Sequence, residues 1–279
     1  MSQTPPKDYT LYELLAVNVA KNLEDGELVH VGIAAGGKGA VMAVGVPMAA
    51  IGLAQLTHAP YLTMFMGHTF NPKIDEMPVV LTETAIARWR CQARIEMWGA
   101  NPGLINNPDH LDVTFSSGAQ IDKYGNLNIT VIGDYKKPKV RLIGCLAQPD
   151  QLANSHKSII LQEHQKRVFV DKVDFITSVG YYDGPDGRKK LGLRTDKIIR
   201  VFTDLAVLGF DDRTKLMKLE TVHPGVNVDQ VRENTGFELI VPKKVPETPP
   251  PTAEELDLLR RRIDPKRALL EPSERIASY

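Results

Sequence analysis

The sequence predicts an α/β protein with an open, mainly parallel sheet flanked by helices. Three observations carry this. Strand-like and helix-like runs alternate early in the chain, then strand-like runs dominate, as crossover units feeding one sheet do. Apolar residues are 43% of 279, enough to bury a core and too many for a disordered chain. The length suits one large or two small domains.

Residues 10–24 carry Leu11, Leu14, Leu15, Val17, Val19 and Leu23 at near-helical spacing. Thr10 can cap this helix, Glu13 completes a capping box, and Gly26 closes it. Leu28–Ile33 reads as a strand entering a glycine-rich loop, and Pro47–Thr57 as a helix with Pro47 in its first turn. Tyr61–Met66 reads as a buried strand. Later strands are expected at Leu111–Phe115, Lys139–Ile143, Arg167–Val170, Phe175–Val179, Lys197–Thr203, Leu205–Phe210 and Lys215–Thr221. Helices are expected near Thr84–Glu96 and Val228–Asn234. The α/β domain then spans 1–241. A proline-rich, extended linker follows at 242–251, and a C-terminal helix and tail at 252–279. Thr252 and Glu255 cap that helix, whose stripe of Leu256, Leu259 and Ile263 must pack on something, its own domain first of all.

Charge excludes some functions. Lys plus Arg and Asp plus Glu are 34 each, whereas binding to nucleic acid through phosphates needs a basic excess. No charged residue lies between Lys38 and Lys73, but Pro47, Pro60 and four glycines interrupt the stretch. It therefore reads as a buried helix–strand unit rather than a membrane span, and as interface and core. Two cysteines make no disulfide framework, and the opening MSQTPPKDYT is no signal peptide. The expectation is a cytoplasmic protein.

Several residues invite chemistry. Gly32–Gly39 has the glycines and lysine of a phosphate loop, but Gly39 stands where a magnesium-binding Ser or Thr belongs. The bland reading is a flexible turn. VFVD at Val168–Asp171 imitates a second NTPase motif no better than any buried strand does. In GAQIDKYGNLN, Gly118, Asp122, Gly125 and Asn126 make a tight turn. Gln120, Asn126 and Asn128 are neutral groups there, able to hold a carbonyl or amide. An Asx-type turn joining two strands is the plainer reading of the residues by themselves. Among seven histidines no pair has metal spacing with a third ligand. His156 and His164 are eight apart, about two helical turns, and His223 before Pro224-Gly225 anchors a turn. Cys145, after Gly144 at a strand end, is a better nucleophile candidate than Cys91, and a buried inert thiol is the plainer reading of either.

Taken together, Val44–Pro60, Gly118–Thr130, Lys166–Tyr181, Val222–Leu239 and the Ile263–Pro265 ending resemble the B subunit of the class I CoA-transferase family, glutaconate CoA-transferase type. The resemblance implies that family's open, NagB-like α/β fold and obligate pairing with a homologous A subunit. It implies an active site at the subunit interface that binds an acyl-CoA thioester. Coenzyme A then enters as part of the substrate, with no bound cofactor. Gly118, Gln120, Asn126, Asn128 and Asp150 would line or support that site. Two departures stand out. The transferases' nucleophilic glutamate falls, by counting from Thr57-His58-Ala59-Pro60, on Gly67, with His68 beside it as a polar contact at most. The glycine-rich oxyanion loop reads Gly144–Asp150, keeping Asp150 but losing the paired glycines and, at Pro149, one N–H donor. One branch, the steroid ring-cleaving hydrolases, resembles this chain in lacking the B-chain glutamate, which its A subunit supplies. Three readings follow: an enzyme subunit with a partner-supplied glutamate, CoA transfer through another nucleophile, and a non-catalytic stabilising partner.

Overall fold

A computed structural model describes residues 8–32, 40–76, 88–96, 101–108 and 110–271. In chain order its elements are α1 (Leu11–Ala20), β1 (Leu28–His30), α2 (Val46–Thr57), β2 (Thr63–Met66), β3 (Thr69–Pro72), β4 (Cys91–Arg94) and β5 (Val113–Ser116). Next come β6 (Gln120–Asp122), β7 (Leu127–Asn128), β8 (Val131–Gly133), β9 (Pro138–Arg141), α3 (Gln148–Asn154), β10 (Lys157–Gln162), β11 (Phe169–Val170) and α4 (Gly187–Lys190). The chain finishes with β12 (Ile198–Thr203), β13 (Ala206–Phe210), β14 (Met217–Val222), α5 (Val228–Glu233) and α6 (Ala253–Leu258). Two compact units result: Met1–Gly103 with Pro249–Tyr279, and Leu104–Thr248.

In the first unit the Thr10–Glu13 capping box forms. Thr10 N–H donates to Glu13 Oε2 at 2.8 Å, and Glu13 N–H to Thr10 Oγ1 at 3.2 Å. Strands β1 and β2 pair in parallel, Leu28 with Thr63 and His30 with Phe65. Beyond them β3 and β4 add antiparallel. Much of the uncharged stretch is core. Met48, Ile51, Leu53, Leu62, Met64, Phe65 and Met66 are fully buried, and only Leu56 and Tyr61 are large exposed exceptions. The expected helix at 84–96 is corrected in part. Residues 84–87 lie outside the described residues, while Cys91–Arg94 is a strand, because edge pairing of Pro72 with Cys91 and Thr69 with Arg94 outweighs its weak helical pattern. The tail folds back onto its own unit. Leu256, Leu259 and Ile263 are buried. Ile263 meets Gly52 of α2, and the Leu269 carbonyl takes the space where any side chain at position 45 would stand.

The second unit orders its strands β14-β13-β12-β10-β5. Strands β12, β10 and β5 pair in parallel, and β13 and β14 add antiparallel, so the sheet is mixed. The sequence pattern does not predict strand β10 (KSIILQ): its apolar core is short and flanked by His, Lys and Gln, too little for a periodicity. His156 and His164 therefore sit at opposite ends of a strand, not two helical turns apart. Phe175–Val179 is no regular strand; only Ser178 bridges, to Leu127. A smaller sheet, β11-β6-β7, and a β8–β9 hairpin complete the unit. The proline-rich segment is extended and lies along β14, with Lys218 bridging Ile240 and Val222 bridging Glu247. It covers backbone groups that an open edge would leave unpaired. No helix among the described residues is long and apolar enough to cross a membrane.

Candidate active site

The GAQIDKYGNLN segment forms β6, a tight turn with Gly125 at φ +74°, and β7. Gln120 pairs with Asn128 and Ile121 with Leu127. Asp122, 3% exposed, closes the turn. Its Oδ1 accepts the Tyr124 and Asn126 N–H groups, both at 3.0 Å, and its Oδ2 accepts Asn126 Nδ2–H at 2.9 Å. Burial pushes its carboxyl up from the ordinary range, against the pull of those donors.

Asn126 is buried with every polar atom engaged. Nδ2 donates to Asp122 and to the Tyr182 carbonyl at 2.8 Å, and Oδ1 accepts from Gly180 N at 2.9 Å and Tyr182 N at 3.2 Å. Asn128, also buried, donates to Gln120 Oε1 and the Val131 carbonyl, both at 2.7 Å, and accepts from Thr130 and Val131 N–H. Gln120 Oε1 also accepts Asp174 N–H at 3.0 Å, and its Nε2 donates to Asp174 Oδ2, which in turn takes Gly133 N–H. Gln120 and Asn128 thus brace each other and, through Asp174 and Val131, the β8–β9 hairpin, whereas Asn126 ties the turn to Gly180 and Tyr182. Gly118 N–H donates to Gln162 Oε1 at 2.9 Å, at the carboxyl ends of β5 and β10. Gly180 lies so close to the Gly125 backbone that a Cβ would collide with it. Nothing in the sequence singles out Asp174 or Gly180, since no local pattern marks a partner some 50 residues away.

The loop expected to serve an oxyanion holds Gly144 at φ +85° and exposes Ile143 (93%) and Leu146 (96%). Cys145 is exposed there, and Asp150 is exposed in the first turn of α3. Pro149 occupies that same turn, where the missing N–H breaks no helical bond. Cys91, half-buried on β4, directs its thiol to the Ala93 carbonyl.

Parallel strands β1 and β2 end together, the edge at which open α/β sheets bind ligands. Gly67 and His68 form a two-residue connection from β2 to β3, with Met66 paired to Thr69. Gly67 has φ +60°, the left-handed position that glycine fills at the first centre of such a turn. His68 is half-buried, and its carbonyl accepts Ile95 N–H at 3.0 Å. At the end of β1, His30 is 6% exposed and its Nδ1 has no hydrogen-bond partner among the described residues. Burial pushes its pKa down to about 4, so the ring is neutral. The sequence alone does not distinguish it from the other histidines; its position beside β2 is a tertiary fact.

Other titratable groups serve the fold. His164 lies between Thr203 Oγ1 (3.1 Å) and Thr235 Oγ1 (3.0 Å), stacked on Phe169, with its pKa pushed down to about 4 by burial and then by His223. His223 spans Thr248 Oγ1 and the Thr203 carbonyl, both at 2.8 Å, and so anchors the turn. Buried Arg188 donates to carbonyls of Gly180, Ala153 and Arg194, which holds the chain after Ser178 against α3. Burial holds the Lys197 ammonium well below its ordinary value, with Ser155 as its hydrogen-bond partner. Asp171 of the VFVD stretch pairs with Lys123 at 2.8 Å. Residues 33–39 of the glycine-rich loop lie outside the described residues. Among the described residues, no three His, Cys, Asp or Glu side chains group as a metal site.

The Coenzyme A transferase family model matches residues 102–234. The B subunit of glutaconate CoA-transferase from Acidaminococcus fermentans is 34% identical over 275 residues, covering 95% of this chain and 97% of that protein. The crystal structure of glutaconate coenzyme A-transferase from the same organism matches with a TM-score of 0.79 and 33% identity, over 95% of this chain and 98% of the matched chain. The B subunit of 3-oxoadipate CoA-transferase from Pseudomonas knackmussii is 34% identical over 253 residues, covering 90% of this chain and 92% of that protein. The cholesterol ring-cleaving hydrolase IpdB subunit of Mycobacterium tuberculosis is 31% identical over 223 residues, covering 78% and 85%. This chain belongs to the coenzyme A transferase family. The two transferase relatives that it matches along nine-tenths or more of its length are both B subunits.

Proposed function

We propose that this chain is the B subunit of an enzyme acting on an acyl-CoA thioester, with an A subunit completing the active site. The observation that carries this is 34% identity, along 95% of the chain, to the B subunit of a transferase. Coenzyme A is part of the substrate rather than a resident cofactor. The transferase glutamate position is Gly67, and glycine has no nucleophile, so the catalytic carboxylate belongs to the A subunit. His68 is a polar contact at most. Gln120, Asn126 and Asn128 support the acyl-CoA site by holding the β6–β7 turn, Gly118 by its bond to Gln162, and Asp150 stands in the first turn of α3.

A second reading is hydrolytic. The absence of a side-chain carboxylate at Gly67 and 31% identity to a ring-cleaving hydrolase relative favour retro-Claisen cleavage of a cyclic acyl-CoA, with water as the nucleophile. One experiment separates these. The co-expressed assembly is incubated with glutaconyl-CoA, 3-oxoadipyl-CoA and a ring-diketone acyl-CoA, trapped with hydroxylamine or borohydride, and each polypeptide is weighed by mass spectrometry. Turnover with no adduct on this chain is the expected result. An adduct on this chain overturns the partner-supplied carboxylate. An assembly that turns over none of these thioesters points to a non-catalytic partner.

A further inference from the structure

His30 is buried, and among the described residues nothing uses its Nδ1. Its ring packs at 5.3 Å from Phe65, and the β1–β2 register sets the two residues side by side. Val31 N–H continues the ladder to the Phe65 carbonyl at 3.0 Å. Gly67, where the transferases place their glutamate, follows Phe65 by two residues on the same strand path. His30 and Gly67 therefore share the carboxyl edge of two hydrogen-bonded parallel strands. The contrast with the other buried histidines is direct. His164 and His223 each have partners at both ring nitrogens, whereas His30 Nδ1 is buried and has no partner among the described residues. A buried polar atom left unpaired is unfavourable to the fold and calls for another use.

We propose that His30 is a substrate-binding residue whose Nδ1–H donates a hydrogen bond to an oxygen of the acyl group of bound acyl-CoA. This rests on the acyl-CoA reading and deepens it. An imidazole in this position supplies a donor without charge, beside a glycine that leaves room for the acyl group. No bond to His30 forms or breaks in the reaction. The contact sets which acyl groups are held, because a site built to hydrogen-bond an oxygen discriminates against acyl groups that lack one.

The test uses the co-expressed assembly with His30→Phe and His30→Asn. Phenylalanine keeps the ring and removes the donor; asparagine places an amide where Nδ1 stands. Melting temperature, binding of free CoA, and kcat/KM on glutaconyl-CoA, 3-oxoadipyl-CoA and the ring-diketone acyl-CoA are measured for each. For His30→Phe the expected result is an unchanged or higher melting temperature and unchanged affinity for free CoA. Its kcat/KM on the acyl-CoA substrates falls by about tenfold or more, and His30→Asn recovers part of that loss. Wild-type kcat/KM in His30→Phe overturns the inference, and so does a lower melting temperature that accounts for the whole loss. A wild-type assembly that neither binds CoA nor turns over any of these thioesters overturns the acyl-CoA reading itself, and this contact with it.

Discussion

Asn126 shows how a side chain suited to ligand chemistry can be absorbed by the fold. Its carboxamide offers two donors and an acceptor oxygen with two lone pairs, and Asp122, Gly180 and Tyr182 take all of them. No polar capacity is left for a ligand, so its part in any site is to hold the turn. Asn126→Ala removes one donor from the buried Asp122 carboxylate and one from the Tyr182 carbonyl, and strands the Gly180 and Tyr182 N–H groups. We expect a loss of about 3 kcal/mol in unfolding free energy, read by urea denaturation, and a smaller loss in acyl-CoA affinity of the folded assembly, as the turn that supports the site loosens. A large loss of affinity at unchanged stability would make Asn126 a ligand contact after all.

The helix and strand seams hold buried groups whose ionisation ties stability to pH. His164, between β12 and the turn after α5, is folded with a pKa near 4 against 6.5 for the free side chain. Below 6.5 the unfolded chain takes up the proton and the folded chain does not, so stability falls as pH drops from 6.5 towards 4. That shift corresponds to about 3 kcal/mol. His30 and His223, also depressed by burial, act in the same direction. The melting temperature is expected to rise from about pH 4.5 to about 6.5 and then level, and His164→Asn to flatten the rise. A profile flat across that window would show that these rings are charged in the fold. In the first unit, Glu13 is 1% exposed, and burial by itself would raise its pKa. The hydrogen bond from Arg260, the Thr10 N–H and the charges of Arg260 and Arg267 reverse this and lower it. Its contribution is present above the unfolded value near 4.5 and is lost as pH falls through the lower folded value. Arg260→Leu leaves Glu13 buried beside only the more distant Arg267. It should cost about 2–3 kcal/mol and move acid unfolding to higher pH, as a circular-dichroism titration would read.

For the molecule as a whole, the consequence of the proposed assembly is that this chain is half of a functional unit. Ile143 and Leu146 are almost fully exposed on one loop, unusual for large apolar side chains in a finished surface. Co-expression with the A subunit is expected to give a stable heteromer on light scattering, with acyl-CoA turnover in the complex and none in either polypeptide by itself. Full activity from this chain as a monomer would contradict it.

Local signals were legible because the residues that make them are neighbours in sequence. The boxes at Thr10–Glu13 and Thr252–Glu255, the helix after Val46, the buried strand before Gly67 and the hairpin-like strands β12, β13 and β14 all follow from spacing and turn chemistry. Strand β10 and the edge strand Cys91–Arg94 were not legible, since their pairing partners, not their own patterns, make them strands. The GNLN turn could be read as a turn. Whether its amides face a ligand or one another depends on Asp174, Gly180 and Tyr182, far along the chain. Sequence by itself determined the α/β class and the family, because both are carried by residue identity and order. Only the tertiary structure decided which buried polar groups are satisfied. Hydrogen-bond partners come from chain segments brought together by folding, and that is why His164 is braced and His30 is not.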